Sequence, residues 1–196
     1  MSLSLSLPPR SEYIDHQRNI QTALDDIPCN LLHGTRSTTL IRMLDKNTPQ
    51  DYQGCLLAQT VAKSLGITPG SGNFITLREN EKDLVHGGEA VSTVDIYNGH
   101  VAHDYATNPC YCPNPEVSFP VIFGIASSNS MEIKENRVAI LALSERVIYD
   151  FTVAHKIDAK NIMALLVPQG KCKEVGDMIV ATPLQHARII GYPYYC

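Results

Sequence analysis

Within Leu31-Leu-His33-Gly34-Thr35-Arg36, an imidazole, a backbone without Cβ, a hydroxyl and a guanidinium follow one another. The histidine and glycine close a short apolar run, which puts the imidazole at the mouth of a strand. Glycine carries no side chain there, so a ligand can approach its backbone closely, and its N–H and C=O suit the clamping of a carboxamide. Arg36 reads first as a surface charge, yet it stands where a bidentate donor would meet a phosphate. Six cysteines, at 29, 55, 110, 112, 172 and 196, offer a second chemistry. Cys29 lies four residues before His33, and a thiol–imidazole pair is the core of a thiol hydrolase. Cys55 is the other thiol to consider. Cys110-Tyr-Cys112 is a single C-x-C without a second pair, short of the four ligands a structural zinc needs.

These residues must be positioned by elements that the pattern of apolar residues outlines. Residues 1–10 read as a flexible lead-in. Ser11 opens a helix with a stripe of Ile14, Ile20, Leu24 and Ile27. A strand over 30–33 ends at Gly34. Ser37 or Thr38 then caps a helix carrying Leu40, Ile41, Met43 and Leu44. Asp51 caps a third, carrying Leu56, Leu57, Thr60 and Val61, which Gly66 ends in the left-handed region. From residue 74 onward short β-branched or aromatic runs dominate, at 74–77, 90–94, 118–123, 137–141, 146–153, 162–167 and 187–190. Two helices interrupt them. In one, over 98–106, Val101, Ala102, Tyr105 and Ala106 share a face, leaving His100 and His103 toward solvent. The other covers 170–179. Helices early and strands late predict an α+β fold with a mainly antiparallel sheet.

In order and at plausible spacings, the segments from residue 30 to 168 resemble the ADP-ribosyltransferase superfamily. The likeness is to the His-Gly-Thr branch, shared by poly(ADP-ribose) polymerase catalytic domains and several bacterial effectors. The resemblance rests on His33-Gly34-Thr35, the Ser92-Thr93 strand, the helix ending in Tyr105, and Ser144-Glu145 ahead of a late strand. It implies a split antiparallel sheet flanked by N-terminal helices, as one domain over 11–196, with NAD as co-substrate in the cleft between the halves. His33 would hydrogen-bond the adenine-side ribose. Gly34 would hold the nicotinamide carboxamide, Thr35 would shape the turn, and Arg36 would lie near the pyrophosphate. Tyr105 would stack on the nicotinamide ring. Glu145 would be the catalytic acid, with Glu132 and Glu135 as alternatives. The family's frequent hydroxyl three positions before the stacking tyrosine is Ala102 here, so Ser92 or Thr93 would supply that hydrogen bond. The implied activity is transfer of ADP-ribose from NAD to a protein or other macromolecular acceptor.

The chemistry agrees with these roles. Breaking the nicotinamide–ribose bond develops oxocarbenium charge, which a carboxylate stabilises while activating the nucleophile. An aromatic face holds the departing ring, and no metal is required.

Composition narrows the alternatives. The chain has 196 residues, 44% hydrophobic and 18% charged, enough for a core without disulfide or metal staples. Sixteen basic and twenty acidic residues give a charge of −4, which argues against a nucleic-acid partner. No apolar run is long enough for a membrane span, and no basic-then-apolar leader opens the chain. Reduced thiols in a cytoplasm are expected, or, by the resemblance, in a host cytosol reached by an effector. Besides the thiol hydrolase, the other alternative is a non-catalytic module of the same fold that binds NAD, ADP-ribose or a protein.

Overall fold

The computed structural model describes residues 18–67, 93–96, 99–107, 117–131, 133–138 and 148–194. Among them, three antiparallel-dominated sheets and several helices give the α+β architecture expected from the sequence. The largest sheet has the order β1-β4-β8-β9, with β1 (Leu31–Arg36), β4 (Pro120–Ile125), β8 (Ile162–Pro168) and β9 (Arg188–Tyr192). β1, β4 and β8 are mutually antiparallel, and β9 joins β8 in parallel. A second sheet has the order β3-β6-β5, from β3 (Thr93–Ile96), β5 (Ile133–Val138) and β6 (Ile148–Ala154). A two-residue ladder, β2 (Leu56–Leu57) on β7 (Lys156–Ile157), lies beyond them.

The large sheet is buried on both faces, which explains the uninterrupted apolar runs of β4 and β8. One face carries Leu31, Val121, Phe123, Ile125, Leu165 and Val167. Two helices cover it: α2 (Ser37–Met43) through Leu40 and Met43, and α5 (Cys172–Ile179) through Val175 and Ile179. The opposite face carries Ile122, Ala164, Leu166 and Tyr192. It is covered by a helical segment over 18–23, α1, through Ile20, with Leu24 just beyond it, and by α4 (Gly99–Thr107) through Ala102 and Ala106. The first core also takes in Val153 of β6 and Ile157 of β7, so the two larger sheets share one apolar interior.

Several expectations need correction. The first strand does not stop at Gly34 but runs to Arg36, because β4 pairs with it throughout. The third helix does not start at Asp51. A short 3-10 turn covers Gln50–Tyr52, Gly54 turns the chain at φ +72°, and Leu56–Leu57 is a strand. Only then does α3 (Gln59–Ser64) form, followed by Gly66 at φ +71°, where a left-handed glycine was expected. Tertiary pairing wins over helical spacing here: Leu56 gains burial beside Ile157, and the Ala58 N–H finds the His155 carbonyl at 2.9 Å. Neither Ser37 nor Thr38 caps α2; Ser37 is inside the helix, and its hydroxyl accepts the Phe119 N–H instead. The lead-in at 1–10, the 11–17 part of the first helix and the run at 74–77 lie outside the described residues.

Candidate functional site

β1 stands at the edge of its sheet among the described strands, and its register decides which peptide groups face outward. Ser37 N–H donates to the Phe119 carbonyl, which makes 37 and 119 a hydrogen-bonded pair. Arg36 lies opposite Pro120, which has no N–H to give. Antiparallel pairs alternate between bonded and non-bonded, so 35 and 33 are directed at β4. The N–H and C=O of Leu32, Gly34 and Arg36 are therefore directed away from it, along the outer edge.

Side chains alternate in the perpendicular direction. His33 and Thr35 share the face of Leu31, and the His33 ring lies 6.2 Å from that of Phe123, tilted by 40°. The Thr35 hydroxyl is 2.8 Å from that of Thr39, which fastens the strand end to the start of α2. On the opposite face, α4 crosses Gly34 so closely that a Cβ there would overlap the Ala102 carbonyl oxygen. The absent side chain at Gly34 therefore makes room for a helix backbone rather than for a ligand, as the sequence had suggested.

The helix runs along the strand. Ala102 sits over Gly34, and the Ala106 carbonyl accepts from Arg36 Nη1 at 2.9 Å. Four helical residues rise about 6 Å and two strand residues about 6.6 Å, so the two contacts stay in step. On a helical wheel, His103 and Tyr105 flank this contact line by about 80° on either side. His103 points inward over the sheet: its ring stacks on Tyr194 at 5.8 Å and meets Tyr192 edge-on at 6.2 Å. Tyr194 Oη in turn donates to the Leu166 carbonyl at 2.6 Å. Tyr105, half-buried, packs against the same core as Ala102 and Ala106, with Leu32 of β1 also against it.

The expectation that His103 faces solvent is wrong: it is 5% exposed, held between helix and sheet. Arg36 is not a plain surface charge either. Its guanidinium donates to Ala106 O, to Ser118 Oγ at 3.1 Å and, by a short contact, to Ser118 O. The signal for both was present as small residues at 102 and 106, one turn apart, opposite a strand glycine. That pattern marks a close helix–strand approach, which buries whatever flanks it.

Cα atoms of β3 come within 8 Å of β1, although the two strands belong to different sheets. Thr93 opens β3, opposite Ala154. Glu135 lies on β5, separated from β3 by β6, so about two strand spacings, or 10 Å, from that edge. Ser92, Glu132 and Glu145 lie outside the described residues.

No family model, curated protein or solved structure matches the chain.

The thiols are placed elsewhere. Cys29 Sγ packs toward Gly124, on the α4 face, whereas His33 points to the other face. Burial pushes the Cys29 thiol up to about 11. Cys55, at 5% exposure, is also raised by burial, which outweighs a hydrogen bond at Ala159 and the Lys156 charge. It shares a cavity of about 450 Å³ with Asp158, Lys160, Pro183 and His186. The Asp158 carboxylate there is engaged by Lys156 at 2.9 Å. Among the described residues no three metal-ligating side chains gather, and no helix is long and apolar enough to cross a membrane. Cys110 and Cys112 lie outside the described residues.

Proposed function

We propose that the chain is a mono-ADP-ribosyltransferase that moves ADP-ribose from NAD to a protein or other macromolecular acceptor. The observation that carries this reading is the outer edge of β1. There the register turns the Gly34 N–H and C=O out of the ladder with β4, α4 brings Tyr105 to the same strand, and Cα atoms of β3 lie within 8 Å of β1. An amide and an aromatic ring are the two features of nicotinamide, and this edge offers a partner for each. His33 is assigned the adenine-side ribose by the resemblance; its ring lies beside Phe123 on the other face of the strand. The fold class and the near-neutral charge agree with a ligand held by backbone and a few polar groups.

In the reaction, the bond between ribose C1′ and the nicotinamide nitrogen breaks, and its electron pair leaves with the ring as neutral nicotinamide. The acceptor nucleophile bonds to C1′, and its proton passes to a carboxylate. Glu145 is assigned that role; it precedes β6, the strand that pairs with β3, by three positions. Glu135 is less suited, being on the far strand of that sheet. Thr93 stays a candidate for the carboxamide together with Ser92. Arg36 leaves the cofactor set, because its donors hold α4 and Ser118.

A thiol hydrolase is not favoured. Cys29 and His33 are on opposite faces of the sheet, and burial opposes the thiolate at both Cys29 and Cys55.

The deciding test is incubation with NAD labelled in the adenylate, with and without a cell lysate. Release of nicotinamide with transfer of label to a macromolecule is expected, and Glu145→Gln should abolish both. Binding of NAD without release would assign a non-catalytic module. Neither binding nor release would remove the reading.

A further inference from the structure

We propose that Arg36 is a positioning residue. Its guanidinium fixes where α4 sits along β1, and thereby where Tyr105, one residue before Ala106, is held. The consequence for ligand binding rests on the nicotinamide reading above; the mechanical claim does not.

The last four carbonyls of a helix have no partner within it. Ala106 O is one of them, and it is also at the negative end of the helix dipole. Arg36 Nη1 donates to it at 2.9 Å, while Nε and Nη2 of the same planar group take the hydroxyl and carbonyl of Ser118. One side chain thus joins three segments: the end of β1, the end of α4, and the entry to β4. Gly34 sets the separation of helix and strand, because a Cβ there would overlap the Ala102 backbone. It does not set the axial position, since a small-on-small surface permits sliding. Thr107 Oγ1 closes the neighbouring carbonyl of His103 from within the helix and so adds no link to the sheet. The His103 stack on Tyr194 holds the inner flank. Arg36 adds a polar tie at the end of the helix that carries Tyr105.

A lysine cannot reproduce it. The ammonium is a point donor, whereas these acceptors lie along three edges of a rigid fork. Charge and geometry therefore separate experimentally. A phosphate ligand would tolerate lysine, would weaken with salt, and would matter only for ligands that carry phosphate. A positioning residue would fail as lysine and would matter equally for nicotinamide alone.

The chain contains no tryptophan, so Tyr105→Trp gives a single emitter at the position in question. In that background, Arg36→Met and Arg36→Lys are expected to increase acrylamide quenching toward that of the unfolded chain while the melt stays cooperative. With Tyr105 in place, both variants should weaken nicotinamide and NAD alike by about tenfold, the equivalent of one charge-assisted hydrogen bond. This loss should not depend on ionic strength. If Arg36→Met does not fold, Ser118→Ala, which removes one acceptor, should give a smaller rise in quenching. Unchanged quenching in the folded variants overturns the proposal. So does a loss confined to NAD that lysine restores, since Arg36 would then bind phosphate directly. Wild-type protein that binds neither ligand would remove the functional reading, and quenching would still decide the role of Arg36.

Discussion

Gly34 shows how one residue type can answer two demands. Its Cα faces the Ala102 backbone, with room for nothing larger than hydrogen. Its N–H and C=O lie at right angles to that contact, on the side of β1 away from β4. Gly34→Ala should therefore cost about 2–3 kcal/mol of stability, as an overpacked buried site does, with part of it recovered only by lifting α4 off the strand. Urea unfolding of the variant measures this; an unchanged midpoint would mean that the helix has no fixed seat. The sequence drew attention to the glycine for its permissive backbone, but the occupant of the space is intramolecular, and one strand read alone cannot reveal a helix that arrives about 70 residues later. The cysteines give the second residue-scale expectation. A thiol held at about 11 has about a hundredth of the thiolate that the ordinary value of 9.0 gives near pH 8. Iodoacetamide should thus modify Cys29 about a hundredfold more slowly than an exposed thiol. Mass spectrometry of the alkylated protein reads this site by site, and NAD cleavage should survive the treatment. Raising the pH through 9 toward 11 costs stability, because the half-buried Cys29 thiol ionises in the folded state at the higher value while the unfolded chain ionises at the lower one. That loss should be smaller in Cys29→Ala.

At the scale of elements, the strands buried on both faces were the most legible, since β4 and β8 are apolar throughout and fit nothing else at that length. The helix over 98–106 was also legible, from two alanines and a tyrosine at helical spacing. Its facing was legible in part. Ala102, Ala106 and Tyr105 do pack on one core, as grouped from the sequence, but His103 is buried as well. Periodicity gives the face of a helix to within about one residue, or 100°, which is the difference between a solvent-facing and a buried histidine. The failed prediction of helix at Leu56–Leu57 has another cause: a two-residue strand exists only because β7 is there to pair with it. Packing on the seat of α4 can be tested directly. Ala102→Leu inserts three carbons between helix and strand and should destabilise by about 1–3 kcal/mol. Val117→Ala, at a site 72% exposed, should change stability by less than about 0.5 kcal/mol and serves as the control. Equal midpoints for the two variants in urea would contradict the seating of α4 described above.

The whole molecule places its two larger sheets so that β1 and β3, each an edge strand among the described strands, approach without pairing. Edges left unpaired in a protein are normally covered or blunted, because exposed N–H and C=O groups recruit other strands. The chain passes from β6 to β7 at His155, which takes φ +63°, so the three-stranded sheet and the small ladder both reach the core of the large sheet, through Val153 and Ile157. A ligand seated between the edges would contact both sheets at once and should stabilise the protein as a unit. At a hundred times its dissociation constant, NAD should add about 2.7 kcal/mol, which for a chain of this size raises the melting temperature by roughly 5–10 °C. Hydrogen exchange should then slow at Gly34 on β1 and within 93–96 on β3, because the two edges share one ligand. Protection on β1 alone would move the site to the α4 face of the large sheet, and protection confined to the cavity around Cys55 and His186 would locate binding away from this edge altogether.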